Sequence, residues 1–66
     1  MGEKLKKLRK DFNLSQQQVA EKLSVSQDTI SLWENDKSLP ATEYLSQLAD
    51  IFDVSVDYLL GRTKEP

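Results

Sequence analysis

The sequence contains neither cysteine nor histidine. Without thiols there are no disulfides and no thiolate nucleophile; without imidazole, His ligation of a metal and His-based acid/base catalysis fall away as well. Glycine and proline occur twice each, and no glycine-rich phosphate loop is present. No apolar run approaches the ~20 residues of a membrane span, and the opening MGEKLKKLRK lacks the apolar stretch of a secretory signal. The expectations are a cytoplasmic, reducing location, no membrane association, no cofactor, no metal and no small-molecule substrate. Enzymatic activity is not expected either, because the remaining carboxylates, lysines and hydroxyls form no recognisable catalytic site. The 66 residues suffice for one compact domain, whose core supplies roughly 3 to 5 kcal/mol of net stability.

The net charge of −2 argues against binding a polyanion through bulk charge alone. Its distribution is uneven. Met1 to Leu14 carries net +3, from Lys4, Lys6, Lys7, Arg9 and Lys10 against Glu3 and Asp11, Ser15 to Leu39 carries −2, and Pro40 onward carries −3. A basic start and an acidic end follow. Taken alone, the basic segment reads as the solvated face of a first helix. Glu43, Asp50, Asp53 and Asp57 read as a solvated acidic face and not a metal site, since their spacing lacks the glycine and terminal glutamate of a calcium loop.

Leu5, Leu8 and Phe12 share one helical face, predicting a first helix from about Glu3 to Asp11. Ser15 followed three residues later by Gln18 reads as a capping box opening a second, short helix with Val19, Ala20 and Leu23 inward. Ser24-Val25-Ser26 interrupts that pattern, and Ser26 offers the cap of a third helix carrying Ile30 and Trp33 inward. Asn35 to Pro40 is a loop, because Asn and Asp tolerate left-handed backbone and Pro40 disfavours helix at Leu39. A fourth helix follows, with Leu45, Leu48, Ala49 and Phe52 on one face, Thr42 as its cap and Glu43 near its positive end. Ser55 caps a brief fifth helix through Leu60 that Gly61 ends in the C′ position. The β-branched residues are scattered and give strands no support. The predicted architecture is all-α, a compact bundle of five short helices in one domain over 1–61, with 62–66 a polar tail or the start of a linker.

Residues 15–34 are the informative segment. Two capped helices separated by so short a turn cannot lie antiparallel, so they cross steeply, with Ala20 admitting the second helix and Val25 plugging the turn. That is helix-turn-helix geometry. On the third helix Gln27, Asp28, Ser31 and Leu32 are left outside, and with Ser26 they form a face fit to enter a major groove.

Here the sequence resembles the Cro and phage-repressor type of helix-turn-helix, the Xre-like family. The resemblance rests on Leu5-Lys6-Lys7-Leu8-Arg9; Leu14-Ser15-Gln16 with Val19-Ala20, Val25-Ser26, Thr29-Ile30-Ser31 and Trp33-Glu34-Asn35; Pro40; and Val54-Ser55-Val56-Asp57-Tyr58-Leu59-Leu60. It implies a lambda-repressor-like fold and a sequence-specific DNA-binding transcriptional regulator, expected to be a repressor. It further implies a homodimer on double-stranded DNA, with half-sites of a palindromic operator about 34 Å apart.

Carried over by position, Ser26, Gln27, Asp28, Ser31 and Leu32 would read bases. Gln27 suits adenine N6 and N7, Asp28 a cytosine amino group, and Leu32 either thymine methyls or a protein partner. Gln16 and Gln17 at the start of the second helix, Asn35 and Lys37 beyond the third, and Lys6 and Lys10 on the first would bind phosphates. Arg9 and Glu34 would form a structural ion pair, and Trp33 would belong to the core. Tyr58, Leu59 and Leu60 would contribute to a dimer seam. Asp36 stands where the family usually has glycine, a mild change because Asp can occupy left-handed backbone. Net acidity, Asp28 and Leu32 keep a second reading open: a protein-interaction module or antitoxin-type regulator on the same fold.

Overall fold

The computed structural model describes residues 1–66. Five α-helices and no strands make up the chain: α1 (Gly2–Asp11), α2 (Gln16–Leu23), α3 (Gln27–Glu34), α4 (Thr42–Phe52) and α5 (Val56–Leu59). Local chemistry accounts for most boundaries. At α2 the predicted capping box is complete, with the Gln18 N–H donating to Ser15 Oγ at 3.0 Å and the Ser15 N–H donating to Gln18 Oε1 at 2.8 Å. Ser26 Oγ accepts from the Thr29 N–H at 3.2 Å, and Ser55 Oγ accepts from the Tyr58 N–H at 3.0 Å, so α3 and α5 open in the same way.

All five helices end at or just before a left-handed residue. These are Asn13 (φ 57°), Ser24 (59°), Asp36 (56°), Asp53 (54°) and Gly61 (77°). Only the last is glycine. The other four carry side chains through backbone that costs roughly 1–2 kcal/mol for an L-residue, least for Asn and Asp.

One expected cap differs. The N-cap of α4 is Ala41, which makes no side-chain cap bond, and Thr42 is already helical. Buried Pro40 sets the chain's entry, and Ala41 follows in extended backbone (φ −63°, ψ 160°) with its carbonyl accepting from Tyr44 and Leu45. Thr42 therefore arrives one position too late to cap, and Glu43 in the first turn supplies negative charge at the positive helix end instead.

The core is a single cluster built around Leu5, Val19, Ala20, Leu23, Ile30, Trp33, Leu48, Ala49, Phe52 and Leu59. Val25 in the turn packs against it, as does Leu14. Aromatic contacts tie the periphery together. Phe12 meets Phe52 edge-on at 5.3 Å, joining the end of α1 to α4, and Trp33 lies 5.6 Å from Tyr44, joining α3 to α4. Lys4 Nζ sits 4.3 Å from the centre of the Tyr58 ring, linking α1 to α5.

Leu59 has no exposed surface, so it cannot belong to a dimer seam; it is the one fully buried position of α5, with half-buried Val56 packed against the same core. Tyr58 and Leu60 beside it are half-buried. The tail folds back, with the Ser55 N–H donating to the Pro66 carbonyl at 2.8 Å and the Arg62 N–H to the Asp57 carbonyl at 2.9 Å.

A further contact lies outside any local pattern. An added Cβ on buried Gly2 would stand 2.3 Å from the Glu34 carbonyl oxygen and 2.9 Å from that of Trp33. The start of α1 thus presses directly on the end of α3. There Asp36 Oδ1 accepts from the Gly2 N–H at 3.0 Å and faces the terminal amine at 3.8 Å. Asp36 both turns the chain after α3 and satisfies an orphan donor of α1.

Candidate nucleic-acid interface

Ile30, Trp33 and Glu34 anchor α3 inward, each at most 6% exposed. The opposite side follows from the 3.6-residue period. Gln27 and Asp28 are exposed, Leu32 is 46% exposed and Ser31 is half-buried on the same strip. Four side chains of differing chemistry therefore line one outward face: an amide, a carboxylate, a hydroxyl and an isobutyl group. Ser31 Oγ accepts from Asn35 Nδ2 at 3.3 Å, and Gln27 Nε2 donates to Gln16 Oε1 at 3.4 Å. Ser26 lies at the head of this strip, but its hydroxyl is engaged with the Thr29 N–H and, at 2.9 Å, with the Thr29 hydroxyl.

The predicted phosphate-binding residues fall into two groups. Lys6, Lys10 and Lys37 are exposed and hold no ion pair. Lys7, by contrast, bonds Asp11 at 3.0 Å, a contact that raises its pKa through the hydrogen bond first and the opposite charge second. The amides are committed within the chain. Gln17 Nε2 donates to Glu21 Oε1 at 3.3 Å, and Asn35 Nδ2 donates to the Ser31 carbonyl at 2.8 Å, closing the end of α3. Gln16 is half-buried and donates through Nε2 to Glu34 Oε1 at 3.1 Å. The backbone N–H groups of Gln16 and Gln17, in the first turn of α2, have no intrahelical acceptor and remain available to an anion.

Beneath this surface Arg9 and Glu34 face each other. Arg9 Nε donates to Glu34 Oε2 at 2.6 Å and Nη2 donates to Oε1 at 3.2 Å, a bidentate arrangement. Arg9 Nη1 also donates to the Leu14 carbonyl at 2.9 Å. The pair joins α1 to α3 and holds the turn before α2, and every buried polar side-chain atom has a partner. Sequence reasoning missed that Gln16 extends this network: besides bonding Glu34, its Oε1 accepts from Gln27 Nε2 at 3.4 Å. No local signal marks a bond between residues 11 apart, although both glutamines stand at the first position of their helices.

A family model described as helix-turn-helix matches residues 5–59. The chain belongs to the helix-turn-helix family. This helix-turn-helix chain is 47% identical over 60 residues to the transcriptional activator BcrR of Enterococcus faecalis, a match covering 91% of the chain and 29% of BcrR. It is 37% identical over 62 residues to the transcriptional regulator ImmR of Bacillus subtilis, covering 94% of the chain and 49% of ImmR. The cryptic phage CTXphi transcriptional repressor RstR of Vibrio cholerae is 35% identical over 60 residues, with 91% and 54% covered. The chain spans between 29% and 57% of the length of the curated relatives it matches. Among solved structures, the master regulator for biofilm formation SinR, crystallised in complex with DNA, superposes with a TM-score of 0.79 at 32% identity, covering 89% of this chain and 95% of that one. The five-helix architecture with its central helix-turn-helix is that of a known DNA-complexed regulator, and no helix is long and apolar enough to cross a membrane.

Proposed function

We propose that the chain is a sequence-specific DNA-binding transcriptional regulator that lays α3 in the major groove and works by binding rather than catalysis. The observation that carries this reading is the outward strip of Gln27, Asp28, Ser31 and Leu32, outside the buried core and accompanied by the free N–H groups of α2 and the exposed Lys37. The solved SinR–DNA complex, on the same fold, supports it. In this reading Gln27 pairs with adenine, Asp28 accepts from a cytosine amino group and Leu32 packs on a thymine methyl, with Ser26 and Ser31 beside them. Lys6, Lys10, Lys37, Asn35, Gln16 and Gln17 face phosphates. Two copies bind a palindromic operator as a homodimer, with half-sites about 34 Å apart, and Tyr58 and Leu60 contribute to the seam. The regulator acts in the cytoplasm as a repressor, blocking polymerase where operator and promoter overlap.

The test is enrichment of a randomised duplex pool at low and raised salt, followed by sequencing. A palindromic consensus that weakens steeply with salt is expected. Gln27→Ala should then cost about 1 to 3 kcal/mol at one base position only. A folded chain that enriches nothing at low salt would sink the reading. A second reading, a protein-docking module or antitoxin-type regulator, draws on exposed apolar surface: Leu32 at 46% and Leu39 at 73%. Under it, Leu32→Lys abolishes partner binding and leaves DNA irrelevant.

A further inference from the structure

We infer that Asp28 makes DNA binding sensitive to methylation of the operator: one methyl group on the exocyclic amino nitrogen of the base opposite this carboxylate blocks recognition. The inference rests on the DNA-binding reading above and concerns the chemical state of the DNA that the strip accepts. Asp28 is exposed in the first turn of α3 and takes part in none of the chain's ion pairs. Its carboxylate has acceptors only. In the major groove the sole donors on base edges are the amino groups of adenine and cytosine, so one of these is the only direct base partner Asp28 can have. The rest of the strip points the same way. The α3 sequence, QDTISLWE, holds neither Arg nor Lys, the side chains that answer the two acceptors of guanine. The Ser26 and Ser31 hydroxyls are engaged within the chain. What remains to meet the bases is an amide, a carboxylate and the isobutyl group of Leu32, a set fitted to amino hydrogens and thymine methyls.

In a Watson–Crick pair one amino hydrogen bonds the partner base and the other projects into the major groove. A methylated amino group that stays paired therefore puts its methyl where the groove-facing hydrogen stood. Gln27 has an alternative there, because its amide can also donate to adenine N7. Asp28 has none. Facing a methyl, it becomes a desolvated, unpaired charge among phosphates, which costs more than the loss of a neutral hydrogen bond. The charge that makes Asp28 a poor general binder of DNA is what makes it strict about this one hydrogen.

Parallel enrichment of the parent chain and Asp28→Ala identifies the base pair concerned, as the position whose preference disappears in the variant; Asp28 is exposed and outside the core, so the substitution spares the fold. The consensus duplex is then synthesised with N4-methylcytosine at that position, or with N6-methyladenine where the pool puts adenine there. By fluorescence anisotropy the parent should bind the methylated duplex about tenfold or more weakly than the plain one. Asp28→Ala should bind the two alike, and the same modification at a base pair outside the strip should leave the parent unaffected. Parent binding within twofold on the methylated duplex overturns the inference, as does an Asp28→Ala pool with every preference intact. Equal methylation sensitivity in Asp28→Ala overturns it too, because the effect then lies in the duplex and not in the carboxylate. A parent pool that enriches nothing refutes the DNA-binding reading itself and takes the inference with it, an outcome distinct from enrichment without a methyl effect.

Discussion

Arg9→Met should bring the protein close to unfolding at room temperature, while Arg9→Met combined with Glu34→Met should recover much of the loss. Both partners lie inside, with side chains 11% and 2% exposed, and their contact is bidentate. Removing the guanidinium leaves a buried carboxylate facing a methionine, with only the Gln16 amide still donating to it. Breaking such a pair costs about 3–5 kcal/mol, whereas removing both charges is often close to neutral. Against a total stability of roughly 3 to 5 kcal/mol for a domain this small, the single variant is marginal. A 3 kcal/mol loss corresponds to a melting shift of about 12–24 °C at this chain length. The double variant keeps a smaller deficit, because the Leu14 carbonyl loses its Arg9 donor and Gln16 loses its acceptor, at about 1 kcal/mol each. Urea titration followed by the fluorescence of Trp33 suits the measurement, since this is the sole tryptophan and is 4% exposed. A coupling energy above about 2 kcal/mol between the two substitutions is expected. Additive losses, or an Arg9→Met cost below about 1 kcal/mol, would show that the pair is not held by mutual neutralisation and that solvent reaches it.

Gly2→Ala places a methyl group 2.3 Å from the Glu34 carbonyl oxygen and should cost about 1–3 kcal/mol by overpacking, read as a lowered melting temperature by circular dichroism; an unchanged melt would mean that the start of α1 swings away freely. Ser24→Gly should stabilise by about 0.5–1 kcal/mol by relieving left-handed backbone at the end of α2. The same substitution at Asp36 should give no gain in the same melts, because its carboxylate is lost from the Gly2 N–H. Lys37→Gln should weaken all duplex sequences alike and reduce the steepness of the salt dependence by about one unit; an unchanged slope in a fluorescence-anisotropy titration would remove Lys37 from the phosphate contacts.

Sequence legibility followed the range of the interaction. Caps and periodicity act within four residues, and Ser15 with Gln18, Ser26, Ser55 and Gly61 stand where those rules put them. The outward strip of α3 was legible for the same reason, as the complement of Ile30 and Trp33. Thr42 shows the limit of the local rules: a good capping residue was overruled by the path that buried Pro40 imposes. Leu59 shows another limit, since apolar periodicity alone does not tell a core position from an interface position on a single-turn helix. Contacts of long sequence separation left no local signal, and the Arg9–Glu34 pair, 25 residues apart, was expected only through the family resemblance. The bond between Gly2 and Asp36 spans 34 residues and that between Gln16 and Glu34 spans 18. Both depend on how closely two helices approach, a quantity set by the whole packed set of side chains.

The longest helix has 11 residues and α3 has 8, and isolated helices shorter than about 12–15 residues are marginal in water. A peptide copied from Ser26 to Asn35 would therefore present no groove-facing strip at all. Its four outward side chains share a face only while α2 and the core press on the other side of the helix. Under the proposed function, recognition is then expected to be all-or-none with respect to unfolding: heating the chain should extinguish DNA binding at the temperature where Trp33 meets water. If the chain is the regulator proposed above, any change that erodes the core acts as a reduction in the number of working copies and leaves unaltered the sequence that the surviving ones prefer.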